Sequence, residues 1–314
     1  MTRVAAIDCG TNSIRLLVAD VKDGVLTDVA REMRIVRLGQ GVDATGAFAP
    51  EAIERTRDAL QEYAGIIRES GVSALRMVAT SATRDASNRE DFFAMTREIL
   101  DPIVAGSVAE VITGDEEARL SFAGAVGELN AAGAPFLVVD LGGGSTELVL
   151  GDNKGVKAAF SANIGCVRLT ERFLHSDPPT ADEIASAREY VRAKLEEAFE
   201  EVSIGNATSW VGVAGTMTTI AAIASGLTEY DAEKVHLTRV PFADLFEVCD
   251  RLVNMTRAER SELGPMHPGR VDVIGGGSIV CSVLAEEFER RGAVSTLIVS
   301  EHDILDGIAL SVKV

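Results

Sequence analysis

The sequence predicts an α/β protein built as two halves that repeat one fold. Three observations carry this. Two acidic, glycine-rich turns, Asp8-Cys9-Gly10-Thr11-Asn12-Ser13 and Asp140-Leu141-Gly142-Gly143-Gly144-Ser145-Thr146, each lie between two short runs rich in β-branched residues. Each therefore reads as the tip of a β-hairpin. Beyond each hairpin, strand and helix patterns alternate, as α/β units require. Gly133-Ala134-Pro135 is the strongest boundary signal, separating a domain over 1–130 from one over 131–314.

The elements follow in order. Residues 1–36 give hairpin-like strands, and Glu51 to Ser70 is an amphipathic helix with Ile53, Leu60, Ile66 and Ile67 as its apolar stripe. Leu75 to Ala79 is a strand that runs into the turn Thr80-Ser81-Ala82-Thr83-Arg84. Asn88 caps a helix to Leu100, Val108 to Ile112 is a strand, and a long helix runs from Asp115 to Leu129. After the boundary come the Asp140 hairpin, a helix over 180–200, a strand at Trp210 to Val213 and a Gly215-Thr216 turn into a helix. A helix at Phe242 to Asn254, a segment from Asp272 to Leu284, a strand at Thr296 to Val299 and a closing helix complete the chain. Two halves that open with the same meander point to an internal duplication.

Composition narrows the function. A chain of 314 residues, 46% hydrophobic and 25% charged, is long enough for two globular domains. Its net charge of −18 argues against a nucleic-acid binder, which needs a basic footprint. Met1-Thr2-Arg3 leads straight into a strand, so no signal peptide is expected, and no apolar run reaches the ~18 residues of a bilayer span. The expected location is cytoplasmic, with no membrane partner. Cys9, Cys166, Cys249 and Cys281 lack Cys-x-x-Cys spacing and read as reduced thiols.

The two turns carry chemistry. Glycine lets backbone N–H groups approach an anion, and the hydroxyls add donors. An acidic residue at the loop start would repel phosphate unless a divalent cation stood between them. Two such loops facing each other would form a metal-dependent phosphate clamp; a tight hairpin turn is the bland alternative for either one alone. In so acidic a chain, arginines and bound metal must reverse the field locally.

Five motifs, in order, carry a resemblance: Ala6-Ile7-Asp8-Cys9-Gly10-Thr11-Asn12-Ser13, Ala79-Thr80-Ser81-Ala82-Thr83-Arg84, Thr113-Gly114-Asp115-Glu116-Glu117-Ala118-Arg119, Val139-Asp140-Leu141-Gly142-Gly143-Gly144-Ser145-Thr146-Glu147 and Gly165-Cys166-Val167-Arg168-Leu169-Thr170-Glu171. Together they resemble the exopolyphosphatase and guanosine-pentaphosphate phosphohydrolase (Ppx/GppA) family along the whole chain. The resemblance implies two ribonuclease-H-like domains of the actin-like ATPase superfamily with a cleft between them. Longer relatives carry a further helical region similar to HD-type hydrolases, and this chain resembles the short, two-domain form.

Hydrolysis of a phosphoanhydride needs an in-line water, a base and positive charge on the phosphoryl oxygens. Thr113 and Glu116 fit a capping box, and Asp115 suits a helix start. Glu117 is left one step further round, and it matches the family's catalytic glutamate. A solvated helix-start carboxylate is the other reading. Arg84 is grouped with Glu117 as catalytic. Arg84 and Arg168 are the arginines placed on phosphate, where a planar fork outdoes lysine; Arg15 and Arg119 are weaker candidates. Gly10, Thr11, Asn12, Ser13, Gly142, Gly143, Gly144, Ser145 and Thr146 are the expected phosphate cradle. Asp140 is the expected metal carboxylate, with Asp8 facing it across the cleft. Glu147, on the same side of its strand as Ser145, could hold a metal-bound water or pair with an arginine. The expected cofactor is Mg²⁺ or Mn²⁺.

Cys9 and Arg15 share the Cys-x5-Arg spacing of thiol phosphatases, but Asp8 next door raises a thiol pKa and suppresses the thiolate. Cys9 is expected to pack inward. His175, His236, His267 and His302 show no metal-ligand spacing, although His236-Leu237-Thr238-Arg239 follows a loop the family carries. Val213-Ala214-Gly215-Thr216 and Ile274-Gly275-Gly276-Gly277-Ser278 open helices, at adenosine sites in actin-like kinases or by tight packing alone. Relatives often carry an arginine-glutamate pair before the last glycine of the closing helix, where this chain has Leu305-Asp306-Gly307. The expected function is removal of terminal orthophosphate from inorganic polyphosphate, with a homodimer as the expected assembly. The rivals are 5′-phosphate removal from guanosine pentaphosphate, a non-hydrolysing sensor of polyphosphate or guanosine alarmones, and an actin-like sugar or acid kinase.

Overall fold

A computed structural model of the protein describes residues 2–292 and 294–313. The chain divides into two compact units, one from the start of the chain to Gly124 together with Ile304 onward, the other Ala125–Asp303.

The first unit opens with the meander β1 (Thr2–Cys9), β2 (Ser13–Lys22) and β3 (Val25–Ile35). Strands β4 (Ala74–Ala79) and β5 (Glu110–Val111) complete a sheet of order β3-β2-β1-β4-β5, with β4 and β5 parallel to β1. The expected strand at Val108 to Ile112 pairs over only those two residues. Alternation along β1 decides which core each side chain joins. Ala5, Ile7 and Cys9 face the helices Pro50–Ser70 and Arg89–Leu100, packing with Leu60, Tyr63 and Phe92. Val4 and Ala6 face the other way, toward Leu120 and the closing helix. Asp8 shares that second face, which sets it on the side of the helix Gly114–Ala125. Pro50 starts its helix and Gly71, at φ 64°, ends it in the left-handed conformation that favours glycine.

The closing helix Ile304–Ser311, expected within 131–314, belongs to the first unit. Its Ile304, Leu305 and Ile308 are buried against Val4, Ala6, Leu17 and Val78, each worth about 2 kcal/mol of burial. A Cβ on Gly307 would lie 2.0 Å from the Leu120 carbonyl oxygen, so only glycine permits this contact. Next to it, Asp306 is buried and accepts two hydrogen bonds from Arg31, at 2.6 and 3.3 Å. Asp306 therefore has a structural task beside Gly307 in the closing helix.

The second unit repeats the plan with β6 (Phe136–Leu141), β7 (Thr146–Asp152) and β8 (Gly155–Ala162), then β9 (Ser209–Val213), β10 (Arg239–Pro241) and β11 (Thr296–Val299). The order is β10-β11-β9-β6-β7-β8, with β9 parallel to β6 and β11 parallel to β9. Read from β8 to β11 it matches the first sheet strand for strand. Both units are ribonuclease-H-like, as expected. Helices Ala181–Glu201, Phe242–Asn254 and Ile274–Arg290 enclose one core with Trp210 and Phe288. No helix among the described residues is long and apolar enough to cross a membrane.

Candidate active site

The two hairpin tips are closed by the same hydrogen bond. Gly10 N–H donates to the Ser13 carbonyl at 2.9 Å, and Gly142 N–H to the Ser145 carbonyl at 3.1 Å. In each unit the segment after the third strand returns to hold the loop. Val36 and Arg37 N–H donate to the Asn12 carbonyl, and Gly39 N–H to that of Thr11. In the second unit Cys166 N–H donates to the Gly142 carbonyl, Val167 and Arg168 N–H to that of Gly143, and Arg168 Nε to that of Gly144 at 2.8 Å. In a trans peptide the C=O and the following N–H point in opposite directions. With these carbonyls tied down, the N–H groups of Asn12 and Ser13, and of Gly143, Gly144 and Ser145, point away from the holding segments. A phosphate cradle needs that orientation.

Close approach explains a glycine in each holding segment. A Cβ on Gly39 would lie 2.3 Å from the Thr11 methyl carbon, and one on Gly165 would lie 2.4 Å from the Gly143 carbonyl oxygen. Thr146 fixes the second segment by donating to the Ile164 carbonyl at 2.7 Å. Arg168, expected on phosphate, spends its Nε on the loop carbonyl and is buried.

The same ladder position holds different charge in the two units. Asp8 pairs across β1–β2 with Arg15, whose Nη2 and Nε donate to Oδ2 at 2.7 and 3.0 Å. Asp140 pairs across β6–β7 with Glu147, and both carboxylates are buried. Ser161 donates to Glu147 Oε1 at 2.7 Å. The hard carboxylate oxygens of this pair are of the kind a magnesium-type cation takes. By donor chemistry Asp140 and Glu147 suit the expected metal, and Asp8 faces the Arg15 guanidinium.

Three acids in a row open the helix Gly114–Ala125, and the helical turn sends each to a different partner. Asp115 pairs with Arg119 on the exposed surface, at 2.8 Å. Glu116 accepts from Arg76 at 2.5 Å, and Thr113 Oγ1 accepts from Glu116 N–H at 3.2 Å, one half of the expected capping box. Glu117 turns inward, where Arg84 Nη1 donates to its Oε2 at 2.7 Å and to the Ile112 carbonyl at 3.1 Å. Burial pushes the Glu117 carboxyl up to about 7; Arg84 and a Thr80 hydrogen bond oppose that, and the charge of Asp8 adds to it. Asp8, Thr80, Arg84 and Glu117 therefore share one neighbourhood.

Cys9 is packed in the core, and burial followed by the Asp8 charge pushes its thiol far above the range of a nucleophile. The glycines of Ile274–Arg290 are explained by packing, since a Cβ on Gly276 would lie 2.5 Å from Thr170 Oγ1 and one on Gly277 2.6 Å from the Thr216 side chain. At the Val213-to-Thr216 turn, Ala214 adopts φ 71°, and the Arg270 guanidinium covers Gly215 so closely that a Cβ there would lie 2.2 Å from Nη2. Arg270 also donates to Thr219 at 3.2 Å. Neither Arg270 nor the Val36–Gly39 segment carries a local signature in the sequence; only the fold sets them at these turns.

Comparison with known proteins adds independent findings. The family described as the Ppx/GppA phosphatase family matches residues 17–312. The chain is 64% identical over 315 residues to a Mycobacterium tuberculosis protein named exopolyphosphatase 2, covering 99% of this chain and 98% of that one. Among solved structures, an exopolyphosphatase-like protein superposes with a TM-score of 0.94 at 48% identity, covering 99% of this chain and 98% of the other. A PPX-GPPA enzyme of Aquifex aeolicus superposes with a TM-score of 0.79 at 35% identity, over 99% of each chain.

Proposed function

Because the chain belongs to the Ppx/GppA phosphatase family, we propose that it is a divalent-cation-dependent exopolyphosphatase that releases terminal orthophosphate from inorganic polyphosphate. The observation that carries this reading is Glu117, a buried carboxylate aimed by Arg84 and raised to about 7. Such a group accepts a proton at neutral pH more readily than an ordinary carboxylate. In this reading Glu117 orients the attacking water and takes its proton while the water oxygen attacks the terminal phosphorus. The bridging P–O bond breaks, and the shortened chain leaves on its own oxygen. The outward N–H groups of the two hairpin loops bind phosphoryl oxygens. Mg²⁺ or Mn²⁺ held by Asp140 and Glu147 would supply the positive charge that those oxygens need. Polyphosphate as the substrate is supported by the name of the Mycobacterium tuberculosis relative.

The test is orthophosphate release from purified protein, with Mg²⁺ or Mn²⁺ present or chelated, on short polyphosphate, long polyphosphate, guanosine pentaphosphate and ATP. Metal-dependent release from polyphosphate is expected. Release from guanosine pentaphosphate alone would replace polyphosphate by a nucleotide-capped substrate, and silence on all four with binding retained would make the chain a sensor.

A further inference from the structure

Glu128, His236 and His302 come together in the second unit although no spacing links them in sequence. His236 Nε2 lies 2.9 Å from Glu128 Oε2, and His302 Nε2 lies 3.8 Å from the same residue's Oε1. The imidazoles meet edge to face, with centroids 4.9 Å apart and planes at 87°, so both Nε2 edges converge on one carboxylate. One donor atom from each residue lies within 4.8 Å of the others. None of the three belongs to the hairpin loops or the Glu117 neighbourhood.

We propose that this triad binds a divalent transition-metal ion of the zinc type, separate from the oxygen-only pair Asp140 and Glu147. Two imidazoles and a carboxylate form the donor set of an open zinc site with water in the fourth position, whereas magnesium favours oxygen alone. The size fits. Bonds near 2.1 Å hold tetrahedral donors about 3.4 Å apart, and the observed 2.9 and 3.8 Å bracket that value. The Glu128 side chain is 62% exposed and that of His302 34%, so an ion can enter and keep a water.

The backbone N–H of Glu301 donates to His236 Nδ1 at 3.2 Å, which leaves the ring proton on Nε2, facing Glu128. An ion on Nε2 sends that proton to Nδ1 and gives up the Glu301 bond. The exchange favours ions with strong imidazole bonds, zinc before magnesium. The chain enters the second unit at Ala125 and leaves it after Asp303. Glu128 and His302 stand just inside those two crossings, so a bound ion clips the entering and leaving segments together.

The experiment uses metal-stripped full-length protein and Co²⁺ as a coloured zinc surrogate. Intense visible absorption at one equivalent is expected, displaced by Zn²⁺ but not by Mg²⁺; cobalt on the oxygen-only pair would be six-coordinate and nearly colourless. The double variant Glu128→Gln/His302→Gln should bind at least tenfold more weakly, unfold at the wild-type temperature without metal, and keep Mg²⁺-dependent orthophosphate release. Glu128→Gln alone, on an exposed side chain, serves if the double variant misfolds. Absence of the bands in wild type, or bands of unchanged affinity in the variants, would overturn the assignment.

Discussion

Asp140 and Glu147 oppose each other across the β6–β7 ladder, two buried carboxylates at the register position where the first unit holds Asp8 and Arg15. The duplicated hairpins thus differ in charge at one point. The first sets a guanidinium against its acid, and the second sets another carboxylate there, the pair proposed above as the cation's ligands.

With the proposed cation on Asp140 and Glu147, Mg²⁺ should stabilise the wild-type protein, by about 2.7 kcal/mol at a hundredfold excess over its dissociation constant. Glu147→Gln should lose most of that gain. Thermal unfolding with and without Mg²⁺ checks this; an undiminished Mg²⁺ shift in the variant would place the cation elsewhere.

Arg15→Gln leaves Asp8 buried without its guanidinium. Removing one partner of a buried pair costs about 3 kcal/mol, and neutralising the other partner restores part of it. Urea unfolding of Arg15→Gln and of Asp8→Asn/Arg15→Gln should show loss and then partial recovery. Equal stability of the two variants would mean that the pair is not coupled.

Gly165 stands at φ −165°, a conformation open to any residue, so alanine there meets crowding and no backbone penalty. Its Cβ would collide with Gly143 and Gly144 backbone atoms at 2.4 to 2.6 Å. Gly165→Ala should cost about 2 kcal/mol of stability through overpacking and reduce turnover by about a hundredfold by displacing the loop N–H groups. Steady-state kinetics on polyphosphate would reveal it, and wild-type turnover would show that the loop's position does not matter.

Glu117 must be ionised to accept a proton, and its carboxyl sits at about 7. Activity should fall about tenfold per pH unit below that value and level off above it. Stability moves the opposite way. The folded protein holds the Glu117 proton above the ordinary carboxylate value of 4.5, so ionisation penalises the fold. The penalty is absent below about pH 4.5, grows up to pH 7 and is complete above it, near 3 kcal/mol at most. Unfolding free energies of Glu117→Gln relative to wild type between pH 5 and pH 8 should rise with pH, and a flat difference would mean that the carboxyl is not shifted.

The loops, Glu117 and Asp140 were legible because their signals are local: turn glycines, an acid before them, a run of helix-start carboxylates. What was not legible depends on pairing at long range. Arg168 read as a phosphate ligand because its motif sits beside the loop, yet only the folded turn shows its Nε on the Gly144 carbonyl. Spacing gave the histidines no metal role, while the fold sets His236 against His302. The closing helix was assigned by its place in the sequence, but its apolar face matches Val4, Ala6 and Leu17 of the first sheet.

Turnover and binding of the Glu117→Gln variant, compared on polyphosphate, decide whether Glu117 is the base. Turnover is expected to fall about a thousandfold while the polyphosphate dissociation constant stays close to wild type. Turnover near wild type would remove Glu117 from the mechanism, and a parallel loss of binding would make it a ligand-binding group.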